Sequence, residues 1–406
     1  MEPTARALDR LLRAVGDPIA EIRDIGPGHP EFVEATVLRA AAGVLAKTPE
    51  ALPAIGEALR AAEDLVAPAQ ARAHLDAARA WLDGNPVLAA ERYASILSRW
   101  PHDLLALRLA QSCYFFLGRH AQLCDVVDAV WPAWQHDTYD FGFVLAMASF
   151  AHAENGDAAY AEALGREALK VNPACPIGVH AVAHAFAESG RNHLGAQWMR
   201  DQVAQWAGES RMRTHNAWHL AMFDADLGNI DSALGILDTW LLPASVTSPL
   251  DACDAAALMW RLAGDGVEDK GRWRRVSDAF ECASTPGFWP YVDLHAGLAH
   301  FGAGQRTRAK RLVRQVDALA RGNGDAALRA RRITQPGLRA LAAWSDHDHA
   351  RAARLFAQIE PFVNDAGGSR IQLDIFRSLR TEAVRRERVK QRPSPLNVPI
   401  LAKELS

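Results

Sequence analysis

The sequence predicts an all-α solenoid, a row of antiparallel helix pairs sharing one continuous core. Three observations carry this. Glycines recur at Gly84, Gly118, Gly156, Gly190, Gly228 and the Gly264/Gly266 pair, at spacings of 34 to 38 residues. Each separates two segments whose apolar residues repeat every three or four positions, the period of a helix face. No stretch alternates apolar and polar residues over a convincing strand length. At 406 residues the chain is long for one globular core, but stacked repeats extend a single core without that limit.

The unit around Gly156 is the clearest. Asn155-Gly156-Asp157 makes a turn in which glycine accepts a left-handed backbone. Ala158 to Val171 is amphipathic, and Asn172-Pro173 ends it because proline cannot continue a helix interior. With small Ala161, apolar Leu164 and Ala168, and the closing Asn172-Pro173, this unit resembles the tetratricopeptide repeat. The segment ending at Trp100-Pro101 follows the same plan. The units around Gly118, Gly190 and Gly228 do so more loosely. Further units span Val292 to Ala320 and Pro336 to Phe362, for about eight helix pairs. Residues 1–65 look helical but lack the repeat signature and are expected to cap the first repeat, broken at Gly26-Pro27-Gly28-His29-Pro30. The superhelix is expected over 66–390, and a proline-containing tail over 391–406.

Composition narrows the function. Hydrophobic residues make up 49% of the chain and charged residues 23%, ordinary for a soluble protein. The net charge of −3 and pI near 6.6 give no general basic excess for nucleic acid. The basic segments Arg306–Arg332 and Arg377–Arg392 read as solvated helix faces. The start MEPTARALDRLL has no signal-peptide pattern, and no apolar run is long enough to span a membrane. Five cysteines without a CxxC pair read as buried free thiols of a reducing compartment, so a cytoplasmic protein is expected. Cys175 precedes Pro176 with no base in view, which argues against a nucleophile.

Chemistry is expected in the middle of the chain. His180 and His184 are four apart and share a helix face, as do His215 and His219. Asp251 and Asp254 share a face three apart. Two histidines at this spacing can hold one divalent transition metal. Zinc, iron and manganese fit a set of imidazoles and carboxylates. The glutamate of HExxH is absent, so the site is not that of a zincin. Asp293 and His295, with His300, are expected to close the group. Trp218 is expected to line a pocket. Trp260 and Arg261 follow Asp254 on one helix, placing Arg261 to hold a ligand carboxylate or anchor Asp254; its alternative is a surface arginine. His219, beside Trp218, alternatively faces the neighbouring helix. Asp346-His347-Asp348-His349 reads as a turn.

Resemblance to the tetratricopeptide repeat implies that unit positions 2, 5, 9 and 12 face the groove when the turn glycine is position 15. Counting back from Gly190 gives His180 and His184 at 5 and 9. From Gly228, His215 and Trp218 fall at 2 and 5. From Gly264, Asp251 and Asp254 fall at 2 and 5. The run HAVAHAFAESGR, HNAWHLAMFDADLGNIDSAL, DACDAAALMWRL and DLHAGLAHFGAG resembles the tetratricopeptide repeat protein 38 family over most of the chain. That family's four helix motifs are matched here at His180/His184, Trp218-His219, Asp254 with Trp260-Arg261, and Asp293/His295. Met259 stands where leucine is usual. The resemblance implies the fold and no settled activity.

Two functions are expected from this pattern. The first is a polar, aromatic-lined pocket for a small molecule, in which His180, His184, His215, His219, Asp254 and His295 do acid–base or metal chemistry. Trp218, Asp251, Trp260, Arg261 and Asp293 then contact the ligand. The second is a scaffold whose groove holds a peptide or partner helix. Self-association into a homo-oligomer through the solenoid ends is compatible with either.

Overall fold

Local signals place the helix ends. Prolines sit in the first turn of Pro86–Arg99, Pro176–Glu188, Pro249–Gly264 and Pro290–Gly302, where a missing N–H costs nothing. Asp103, Asp157 and Asp348 cap Leu104–Phe116, Ala158–Val171 and His349–Ile359 by accepting a free backbone N–H of the first turn. Gly84, Gly118, Gly156, Gly190, Gly228 and Gly266 all take positive φ at the inter-helix turns. Gly264 does not. It is the last residue of its helix, so the sixth turn belongs to Gly266 alone.

A computed structural model describes residues 1–134, 138–242, 248–283 and 285–391. It is an all-α, tetratricopeptide-like array. Eight antiparallel pairs follow one another from Ala69 to Ile359. Ahead of them Phe32–Ala46 and Leu52–Ala61 pack as a pair against Ala69–Leu82 and extend the stack. Among the described residues the only extended pairing is the isolated bridge of Val15 with Ser210. None of the described helices is long and apolar enough to cross a membrane. Of the tail expected at 391–406, everything after 391 lies outside the described residues.

The two helices of a pair differ in burial. Ala158–Val171 buries one stripe, Ala161, Leu164, Gly165 and Ala168. Its partner Tyr139–Glu154 is buried on almost every side. Pro176–Glu188, Pro249–Gly264 and Pro290–Gly302 behave likewise. A helix apolar all round is enclosed, so the concave wall is covered here.

Two contacts cover it. First, the array curls until distant units touch. Phe116 packs on Trp289 at 4.8 Å between ring centres, and Arg329 donates to the Phe116 carbonyl at 3.1 Å. Early in the chain, Gly16 N–H donates to the Glu209 carbonyl and Arg13 to that of Ala174. Second, the C-terminal helix Arg370–Gln391 packs against Pro176–Glu188 and Pro249–Gly264. The basic runs are solvated faces with local partners: Arg306 pairs with Asp346, Arg308 with Asp278, and Arg385 and Arg386 with Glu382. Cys113, Cys124, Cys175 and Cys253 are buried free thiols; the Cys282 side chain lies outside those described.

His300 is enclosed on the Pro290–Gly302 helix. Its Nδ1 lies 2.8 Å from the Ser277 hydroxyl. Burial pushes its pKa down to about 4, outweighing the upward pull of Glu281, and Arg308 and Arg311 add to the fall. The ring is therefore neutral at pH 7 although Glu281 stands 3.7 Å away.

Two outcomes follow from this packing. Gly367 has φ 79, and a Cβ there would collide with Trp289 Nε1 and the Phe116 carbonyl. Gly367→Ala should lower stability by about 3 kcal/mol or more, combining backbone strain with the clash. Gly190→Ala, with positive φ and open space, should cost about 1 kcal/mol. Thermal midpoints by calorimetry compare them, and an equal loss would contradict the closure contact. For His300, an unfolded imidazole binds its proton near pH 6.5 and the folded one near 4. Its contribution is full above pH 6.5 and is lost as pH falls toward 4, on the order of 3 kcal/mol. His300→Asn should flatten the fall of the thermal midpoint across that window; an unchanged slope would contradict a neutral buried ring.

Candidate metal centre

The periodicity that buries the inner helices also stacks their polar residues. His180 and His184 lie on Pro176–Glu188, and His215 and His219 on Arg213–Asp226. One nitrogen or other ligand atom from each of the four lies within 4.8 Å of all the others, and no other described group of three or more His, Cys, Asp or Glu converges this way. His180 and His184 bring their Nε2 atoms to 2.9 Å. Ring centres of His184 and His219 are 4.7 Å apart, and those of His215 and His219 4.8 Å. His219 therefore faces the cluster. The rings are braced by aromatics: Phe150 stacks on His180, and Trp218 stacks on His215 at 5.2 Å and 14°.

Two buried carboxylates orient the cluster. Glu154, at the end of the preceding inner helix, lies 2.9 Å from His184 Nδ1 and accepts the Arg370 backbone N–H at 2.8 Å. Burial works against its ionised form, but the His184 hydrogen bond, with the attraction of the neighbouring imidazoles and the Arg370 N–H, outweighs that and lowers its pKa. His184 is itself held down, by burial first, against the pull of Glu154. Both shifts agree on one state: an ionised Glu154 accepting from Nδ1–H of a neutral His184, whose Nε2 lone pair points at the cluster. Asp254 repeats the arrangement. It lies 2.7 Å from His215 Nδ1 and accepts from Gln372 at 3.3 Å. Burial opposes charge on His215, yet Asp254 outweighs it and raises this pKa.

His180 and His219 lie well below the ordinary imidazole range because of burial and the neighbouring histidines. His219 Nε2 is buried without a hydrogen-bond partner. Neutral imidazoles with carboxylates fixing the far nitrogen are the form in which histidine binds a metal. Imidazole-only donors suit zinc, iron, copper or nickel. Manganese, expected from a mixed set, fits less well, because Asp254 stands behind His215 and outside the donor group.

His180 and His215 open onto a cavity of about 280 Å³ that Asp251 and Asp254 also line. Burial, then the charge of Asp254, raises Asp251 to about 6. Trp289 and Tyr291 border the same space, and Trp289 Nε1 and Tyr291 Oη are buried without a hydrogen-bond partner.

The other expected residues lie elsewhere. His295 is fully buried, its Nδ1 2.8 Å from the Tyr291 carbonyl, and burial pushes it down to about 4. Asp293 accepts the Gly287 N–H at 3.1 Å, and burial raises it to about 7. Neither joins the histidine group, because their helix is one unit too far along the array. Arg261 pairs with Asp226 at 3.2 Å, so it holds a carboxylate but does not anchor Asp254. Trp260 donates to Ser378 at 2.8 Å and seats the C-terminal helix. His347 in the Asp346–His349 segment takes φ 59, as a turn should. Burial raises the Cys175 thiol to about 11, which keeps it unreactive.

Sequence reasoning missed Glu154, Phe150, Gln372 and three cations of the cavity, Lys47, Arg108 and Arg211. Counting back from Gly156 puts Phe150 at position 9, and from Gly118 puts Arg108 at position 5, so the rule that found His180 also reaches these two. Glu154, beside a turn, carries no such signal.

No family model matches the chain. Among solved structures it is similar to the APC/C hetero-tetramer Cut9-Hcn1, at 13% identity and a TM-score of 0.45, over 92% of this chain and 68% of that one. It is also similar to a monomeric mutant of IFIT1 with Gppp-AAAA, at 14% identity and a TM-score of 0.47, over 96% of this chain and 87% of that one. Likenesses this remote carry nothing about the ligand or chemistry of this chain.

Proposed function

We propose that this chain holds a divalent transition metal on His180, His184, His215 and His219 and binds a small polar molecule in the adjoining cavity, on which it performs metal-assisted hydrolysis. The observation that carries the reading is the convergence of four imidazoles, two of them fixed by buried carboxylates, beside a cavity. A metal there would act as a Lewis acid toward a ligand oxygen. Glu154 and Asp254 hold the His184 and His215 rings in the tautomer that directs the other nitrogen inward. Phe150 and Trp218 restrict the rings by stacking. Asp251 borders the cavity and is the residue placed to take or give a proton, since its carboxyl is not tied to an imidazole.

The scaffold reading is weaker. The C-terminal helix already covers the inner wall beside Glu154, Asp254 and Trp260, where an extended peptide would have to lie.

Elemental analysis of protein purified without a histidine tag should find about one equivalent of a transition metal. His180→Ala/His184→Ala should lose it with helix content unchanged by circular dichroism. Protein that carries no metal and takes up neither zinc, iron, copper nor nickel on reconstitution would refute the centre. Glu154→Gln should weaken the metal roughly 10–100-fold in a chelator competition, as loss of a ligand-orienting carboxylate does; unchanged affinity would remove Glu154 from the site.

A further inference from the structure

The cavity beside the histidines also has cationic walls. Lys47, Arg108 and Arg211 line it. Arg108 stands on the inner helix Leu104–Phe116, its Nε buried without a hydrogen-bond partner. Lys47 is buried, and its ammonium donates to the Val44 carbonyl at 2.9 Å and lies 4.6 Å from the centre of the Trp81 ring. Its backbone takes φ 54, one of three such non-glycine residues among those described. Arg211 directly precedes the Arg213–Asp226 helix that carries His215 and His219. None of these three cations forms an ion pair among the described residues.

Lys47 is buried without a counter-ion and half-buried Arg108 keeps its Nε buried and unpaired, which is unfavourable, while Arg211 is exposed beside them. The cost appears in the groups themselves: burial lowers Lys47 to about 8, and burial followed by the neighbouring Arg211 lowers Arg108 to about 10. The acidic members of the cavity do not relieve it. Asp254 is engaged by His215 and Gln372, and neither it nor Asp251 reaches ion-pair distance of the three. Guanidinium groups present forked donors that match a planar or tetrahedral oxyanion.

We propose that Lys47, Arg108 and Arg211 form an oxyanion-binding subsite, so that the ligand of this cavity is a small molecule bearing a carboxylate or phosphate group. The inference rests on the reading of the cavity as a ligand site and does not depend on the metal. With the acid group on these cations, about 280 Å³ leaves room for a short body extending toward His180 and His215. The subsite fixes the ligand's orientation: acid group on the arginines, remainder toward the imidazoles.

Isothermal titration calorimetry at constant ionic strength tests this, with inorganic phosphate and malonate as probes. Phosphate binding or malonate binding identifies which oxyanion the subsite prefers. Saturable binding of either probe is expected. It should weaken at least tenfold in Arg108→Met and in Arg211→Met, and persist in His180→Ala/His184→Ala. Arg108→Met without added anion should also raise the thermal midpoint, since an unpaired buried charge is removed. Absence of binding by both probes overturns the proposal, as does equal binding by the arginine variants. Loss of binding in the histidine variant would place the anion on the metal, overturning this subsite while leaving the metal centre standing. If Arg108→Met does not fold, Arg108 is structural; Arg211→Met and Lys47→Met then decide, and unchanged binding in both overturns the subsite.

Discussion

The Glu154 carboxylate is the constraint around which the site is organised. It is 1% exposed, and a carboxylate so placed must have donors, because leaving it unpaired costs several kcal/mol. Its donors come from two separate parts of the chain: the imidazole of His184 on the next inner helix, and the backbone N–H of Arg370 at the start of the C-terminal helix. Asp254 does the same with His215 and Gln372. Each carboxylate thus ties one imidazole to the helix that closes the concave wall. Ring orientation, closure of the cavity and docking of the C-terminal helix are consequently one coupled arrangement.

That coupling explains why a repeat array can present a rigid site. A solenoid is held together only by neighbouring units, and its concave face is ordinarily open. Here Phe116 against Trp289 and Arg329 on the Phe116 carbonyl join units far apart in sequence. The glycines at these crossings matter because backbone passes against backbone: a Cβ on Gly118 would collide with the Asn364 carbonyl, as one on Gly367 would with that of Phe116. The result is low-dielectric surroundings for the imidazoles. Burial is what keeps His180 and His219 neutral, with lone pairs available near neutral pH.

The sequence made the helix pairs legible because helical period, turn glycines and caps are local signals. The histidine pairs were legible for the same reason, as an i, i+4 spacing survives any tertiary arrangement. What local signals cannot carry is which units meet across the curl. Asp293 and His295 have the right residue types but sit a unit too far along, and only the three-dimensional path shows it. Glu154 reads as a solvated glutamate next to a turn until Arg370, 216 residues away, is seen to cover it. The basic composition of Arg370–Gln391 reads as an exposed face, and its outer face is exposed, while Leu373, Phe376, Leu379 and Ala383 are buried on the other side. Arg108 was within reach of the register argument, yet a single arginine on an apolar helix gives no hint that two more cations converge on it.

The distribution of charge in the cavity follows from these placements. Of the two carboxylates that line the cavity, Asp254 is committed to His215 and Gln372, so it cannot swing toward Arg108 without leaving His215 unoriented, and Asp251 stands beyond ion-pair distance of the cations. An imidazole carries no negative charge in either protonation state, so the histidines add no counter-charge. The cavity is left lined by cations and imidazoles, with no carboxylate paired to the cations among the described residues. Electrostatic preorganisation of this kind favours a ligand whose own charge is separated from the atoms presented to the histidines. It disfavours a neutral, uniformly apolar one, for which the buried Arg108 Nε, Trp289 Nε1 and Tyr291 Oη would remain unpaired.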